Sequence, residues 1–104
     1  MSSMPTIHDI AMTTVAEGLA TRVPFANTQA IMAKYLDDFV LVEDSALEEA
    51  VRLLLIHSHN LVEESGAASL AAAIQIKEQL RDKKVALVVS DGNLSSERLS
   101  RIIR

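Results

Sequence analysis

The sequence contains no cysteine and no tryptophan, and its 104 residues include one tyrosine, two phenylalanines, three glycines and two prolines. Without cysteine there is no disulfide and no thiolate metal site. Aromatics make up 3% of a chain that is 49% hydrophobic, so its apolar content is alanine, leucine, valine and isoleucine. That mixture suits helices layered on a parallel sheet. No apolar run approaches the roughly 20 residues that a membrane-spanning helix needs, so no membrane partner is expected. Positive charge is scarce too. Ten Lys and Arg against fourteen Asp and Glu give a formal charge of −4, which argues against nucleic acid as a partner. The opening MSSMPTIHDI lacks the basic and apolar regions of a signal peptide, and Met1 to Met4 reads as a natural start. A cytoplasmic location is expected. Of the three histidines, His57 and His59 would diverge by about 200° on a helix. With His8 they make no metal signature, and no metal is expected.

What is present falls into a short series of elements. Residues 1–14 are polar and mixed and read as an N-terminal arm; residues 15–104 read as a single α/β domain. Ala16-Glu17-Gly18 looks like a turn, and Pro24 favours an extended path over Thr21 to Val23. Asn27 is a candidate N-cap for a helix to about Tyr35, with Ala30, Ile31, Ala33 and Leu36 inward. Asp37-Asp38 ends it, and Phe39 to Val42 reads as a short buried strand. Ser45 and Glu48 have capping-box spacing at the head of a helix to about Ser58, whose apolar face is Leu47, Ala50, Val51, Leu54 and Leu55. Glu48, Glu49 and Arg52 read as its solvated, ion-paired face. A break at His57 to Asn60 precedes a helix from Glu64 or Ser65 to Leu80. Its SLAAAIQI stretch is apolar or small all round, which predicts burial all round. The basic turn Arg81 to Lys84 leads to Val85–Val89, five apolar residues in a row, the pattern of a strand covered on both faces. A last helix spans about Ser95 to Ile103, capped by Ser95 or Ser96. The expected fold is therefore α/β: helix, strand, helix, helix, strand, helix, with two parallel strands in a small partial sheet.

Four short motifs carry a resemblance. They are Ala16-Glu17-Gly18, Tyr35-Leu36-Asp37-Asp38-Phe39-Val40, Val62-Glu63-Glu64-Ser65-Gly66-Ala67-Ala68 and Ser90-Asp91-Gly92-Asn93. In order and spacing they resemble the C-terminal part of the catalytic domain of threonine/serine dehydratases. These are pyridoxal-phosphate enzymes of the fold type II, tryptophan synthase β-like group. The resemblance implies that Ser90 takes the position whose hydroxyl bonds the cofactor's pyridine nitrogen. It implies that Glu63 is the helix glutamate beside the cofactor ring, and that Gly92 and Asn93 shape the loop after the strand. Gly66 and Ala67 would allow close helix packing. A serine at the ring nitrogen, unlike an aspartate, leaves the pyridine unprotonated, which suits β-elimination. On residue chemistry alone, Glu63 is equally a charge favoured at a helix N-terminus. Ser90 to Asn93 is equally a plain turn, or an anion or small-molecule site at the head of the last helix.

The same resemblance shows what is missing. The family's Schiff-base lysine lies in a Ser-x-Lys-x-Arg-Gly type motif and its phosphate in a glycine-rich loop; neither occurs in this sequence. Lys34, Lys77, Lys83 and Lys84 lie in polar settings, so none reads as a desolvated nucleophile. Asp91 stands where the family has glycine, and Glu64 where it has glycine or proline. The expectation is a threonine/serine dehydratase-like fragment with no catalytic residue of its own and no cofactor bound. Ser90, Glu63, Gly92 and Asn93 would be a vestigial cofactor contact. Two strands leave sheet edges bare, so a homo-oligomer, dimer or tetramer, is expected, with contact through Leu70, Ala71, Ile74 and Ile76. The alternative is a dehydratase portion completed by another chain, or an anion- or small-molecule-binding module.

Overall fold

The computed structural model describes residues 14–20 and 24–104. The N-terminal arm, as far as residue 13, and the extended path over Thr21 to Val23 lie outside the described residues. A 3-10 turn at Glu17–Leu19 leads to four helices: α1 (Ala26–Tyr35), α2 (Asp44–Ser58), α3 (Ala68–Gln75) and α4 (Ser96–Ile102). None of them is long and apolar enough to cross a membrane.

The expected parallel sheet is not formed: among the described residues there is no strand. Neither strand-like run takes part in a ladder. Phe39 to Val42 and Val85 to Val89 are held instead from α3. The Ser69 hydroxyl donates to the Val88 carbonyl at 2.7 Å, and the Gln75 amide donates to the Leu41 carbonyl at 3.0 Å. Strand propensity reflects fit to a half-buried pleated surface, and without that surface the composition has no sheet to join. Much of both runs is left in solvent, with Leu41 73% and Val88 81% exposed, while Val42 packs against the core.

The helices follow local signals more closely. α2 runs to Ser58 as its apolar spacing predicts, and buries Leu47, Ala50 and Val51. His59 stops it by entering the left-handed region at φ 58°, with its N–H donating to the Leu54 carbonyl. Ser58 and Asn60 also donate to the Leu54 carbonyl, so three donors converge on one acceptor at the exposed end of the helix. The capping box does not form. The helix starts two residues early, with Glu43 rather than Ser45 at the cap position; the Glu43 carbonyl accepts from Ala46 and Leu47, and no side chain caps it. α1 likewise starts at Ala26, before Asn27, with Phe25 at its cap position, and it buries no residue. The predicted helix from Glu64 to Leu80 is shorter. Glu64 to Ala67 is a turn, and beyond Gln75 the chain tightens into successive i→i+3 turns such as Gln79 to Ile76 and Lys83 to Leu80. Tightening of this kind is common where a helix runs out of packing partners. In α4 the Ser95 hydroxyl accepts from the Arg98 N–H at 3.2 Å, the predicted N-cap.

The core is small. α2 packs on α3 and α4, enclosing Ala16, Leu47, Ala50, Val51, Val62, Ala67, Ala71 and Ile102. Half of these are alanines, which bury little area, so the core stabilises weakly for its number of contacts. Of the residues expected at a subunit contact, Ala71 is taken by this core and Leu70 packs against it, while Ile74 stays exposed. Polar ties add to the packing. Arg52 Nε donates to the Ile102 carbonyl at 2.8 Å and closes the end of α4 onto α2. Arg52 also pairs with Glu49, one turn back at i,i+3, rather than with Glu48 at the i,i+4 spacing expected of this face; Glu48 reaches Arg101 of α4 at 3.4 Å.

Candidate functional site

Three of the four motif segments meet at one corner. Glu63 N–H donates to the Asp91 carbonyl at 3.2 Å, which seats the turn before α3 on the loop after Val89. A methyl group on Gly66 would stand 1.6 Å from the Ser90 carbonyl oxygen and 2.9 Å from that of Asp91. On Gly92 it would stand 2.6 Å from the Leu61 carbonyl oxygen, and on Gly18 it would stand 2.5 Å from Ser65 Oγ. These are all three glycines of the sequence, and none has a positive φ. They are therefore required for closeness of approach rather than for an unusual backbone path. Composition hinted at this only through scarcity: a chain with three glycines places all of them where segments touch.

The expected site residues divide. Glu63, half-buried, accepts from the Ser65 hydroxyl at 3.1 Å, and Gly18 lies against that same pair. Ser90 and Asn93 are exposed on the loop, and the Leu94 N–H closes a three-residue turn onto the Gly92 carbonyl at 2.9 Å. Asp91 adopts φ 49°, a left-handed conformation that glycine takes without strain. Beside Ser90 an open cleft of about 470 Å³ runs back to Leu54 and Ser58 in the last turn of α2. The Tyr35 to Val40 motif is not at this corner. Phe39 and Val40 line a separate apolar cleft of about 480 Å³ with Leu19, Leu47 and Ala72. Among the described residues no group of three or more His, Asp or Glu could hold a metal ion.

Sequence reasoning missed one pair here. Glu64 is buried, and its Oε1 accepts from the Arg98 guanidinium at 2.7 Å. The two residues are 34 apart in sequence, and no spacing rule connects them.

The sequence profile of the family described as pyridoxal-phosphate dependent enzyme matches residues 2–91, which hold the first three motifs whole and the fourth as far as Asp91. The chain belongs to that family. Its relatives include the L-threonine ammonia-lyase of Thermotoga maritima, 34% identical over 90 residues, which are 86% of this chain and 22% of the relative. The serine racemase of Schizosaccharomyces pombe is 29% identical over 97 residues, 93% of this chain and 30% of the relative. The L-threo-3-hydroxyaspartate ammonia-lyase of a Pseudomonas species is 28% identical over 98 residues, 94% and 31% of the two chains. The chain thus spans between about a fifth and a third of the length of these curated relatives. The fold type II resemblance holds at the level of family.

The pyridoxal-phosphate dependent family implies a cofactor, and the corner suits only part of one. The Ser90 hydroxyl and the Glu63 carboxylate are groups that can address the polar edge of a ring. The neighbouring charges are carboxylates, Glu63, Glu64 and Asp91, and Arg98 is engaged by Glu64 and by the Val15 carbonyl. That donor set does not fit a phosphate, which needs cations and free N–H groups. The lysines do not approach: Lys77, Lys83 and Lys84 are exposed around the turn after α3, and Lys34 lies over the Tyr35 ring on α1. We therefore derive no reaction step through the cofactor from these residues.

Proposed function

We propose that this chain is the ring-side segment of a threonine/serine dehydratase-like pyridoxal-phosphate enzyme, inactive until other polypeptide completes the site. The observation that carries this reading is the corner itself, where three motif segments close on one another at Gly18, Gly66 and Gly92. A segment with no remaining connection to such a site has no need to keep a contact as close as Gly66 on Ser90. In this reading Ser90 offers its hydroxyl to the pyridine nitrogen. Glu63 stands beside the ring, and Gly92 and Asn93 set the loop that presents Ser90. The bound cofactor would supply an electron sink for eliminating water and ammonia from a hydroxyamino acid. The Schiff-base lysine and phosphate loop would come from polypeptide outside this sequence.

Purified chain mixed with pyridoxal phosphate and L-threonine or L-serine should give no internal-aldimine absorbance and no 2-oxo acid. Adding the Thermotoga maritima ammonia-lyase polypeptide without its 90 matched residues should restore 2-oxo acid formation. Ser90→Ala should lower the restored rate by up to about tenfold, the loss of one hydrogen bond. Steady product from the chain alone would refute the reading, and so would a complemented mixture as inactive as its separate parts.

A second reading rests on the exposed apolar runs, Phe39 to Val42 and Val85 to Val89. In it the chain is a non-catalytic, cytoplasmic dehydratase-like protein that binds no cofactor and covers these runs by self-association. Sedimentation equilibrium at low micromolar concentration separates the two: a monomer near 11.3 kDa excludes the second reading.

A further inference from the structure

Among the described residues the buried charged side chain is Glu64, 1% exposed. A carboxylate so placed requires a charged partner. Arg98 provides it at 2.7 Å, and the same guanidinium nitrogen donates to the Val15 carbonyl. One cation thus joins three pieces of chain: α4, the turn before α3, and the turn that carries Gly18. The Val15 peptide is also held on its other side. Its N–H donates to Asp44 Oδ2 at 2.9 Å, and the Thr14 hydroxyl donates to Asp44 Oδ1 at 2.5 Å. Three residues on, Gly18 meets Ser65, whose hydroxyl donates to Glu63. By the motif resemblance, Glu64 stands where the family carries glycine or proline.

We propose that Arg98 is a positioning residue for the Gly18, Glu63 and Ser90 corner. By bridging Glu64 to the Val15 carbonyl, it sets the separation between the Ala16 to Leu19 turn and the Glu63 to Gly66 turn. Its importance to function rests on the reading above, that the corner is one wall of a cofactor site. The bridge itself is measured on the chain alone, so a failed complementation and a failed bridge are separate results.

A simple ion pair needs only opposite charges, whereas the bridge needs a donor at position 98. The double exchange Glu64→Arg with Arg98→Glu separates the two roles. It keeps the pair but turns an acceptor toward the Val15 carbonyl. In nuclear magnetic resonance spectra of the 104-residue chain, the parent should show a strong Overhauser contact between Gly18 and the Ser65 side chain. It should also show slowed exchange of the Leu99 and Ile103 amides of α4, which bond to Ser95 and Leu99. The double exchange should leave the α4 amides slow while the Gly18 to Ser65 contact falls severalfold. Restoration of both signals would reduce Arg98 to an ordinary ion-pair partner and overturn the proposal. Should the double exchange not fold, Glu64→Met with Arg98→Met decides, because it removes the donor without leaving a buried charge. It should keep α4 intact and weaken the Gly18 contact, and an unchanged contact would overturn the proposal.

Discussion

The corner where Gly18, Gly66 and Gly92 meet and the two apolar runs at Phe39 to Val42 and Val85 to Val89 are opposites. At the corner, backbone touches backbone and the contacts come from within the chain: Gly66 on Ser90, Gly92 on Leu61, Glu63 on Asp91. Along the runs, side chains with no other use than burial face solvent. One region is closed by contacts within this sequence, and the other is left largely open. Apolar content alone therefore does not locate a core; what matters is whether the matching surface lies on the same polypeptide.

The comparison breaks hardest at Gly66. Gly66→Ala places a methyl group on the Ser90 carbonyl oxygen, and the loop must lift away. The expected cost is about 3 kcal/mol, at the upper end for overpacking, read as a drop in the urea midpoint. A midpoint within experimental error of the parent would show that the corner is not tightly closed. Arg98→Met leaves Glu64 buried without its cation. Breaking a buried pair costs about 3–5 kcal/mol, and solvent at the partly exposed Arg98 reduces this to about 2 kcal/mol. Restoring the family's glycine with Asp91→Gly removes a left-handed non-glycine residue. This should stabilise by about 1 kcal/mol, measured in the same titration, and a loss of stability would mean that the Asp91 side chain has a role of its own. The smallest effect on stability belongs to the runs. Leu41→Ser with Val88→Ser should move the unfolding free energy by no more than about 0.5 kcal/mol per site. Its signature lies elsewhere, in lower self-association by sedimentation, and a large destabilisation would show that the runs are internally packed after all.

How much of this was legible depended on the range of the signal. The end of α2 at Ser58 and the Ser95 cap of α4 follow from apolar spacing and capping chemistry within a few residues. The motif set that carried the family was equally local in its parts, and four parts in order were enough. Caps failed where a tertiary contact competed. The Asp44 carboxylate is drawn to Thr14 and Val15, and α2 begins there rather than at Ser45. The sheet failed because a strand is a property of a pair, and Val85 to Val89 states only one half of it. The SLAAAIQI helix was expected to be enclosed on every side; Ala71 is buried, but Ile74 is exposed for the same reason as the runs. Arg98 was invisible because a bond to Glu64, 34 residues away, leaves no local trace.

The Val15 carbonyl and Arg98 are 83 residues apart, and Arg52 reaches 50 residues forward to Ile102. Contacts of such span make a slow-folding topology, since each must close a long loop before it repays the entropy. On a ribosome adding about 5–20 residues per second, the N-terminal turn waits several seconds for the residue that will hold it. For that interval Glu64 has no cation, and the turn is held by Asp44 alone.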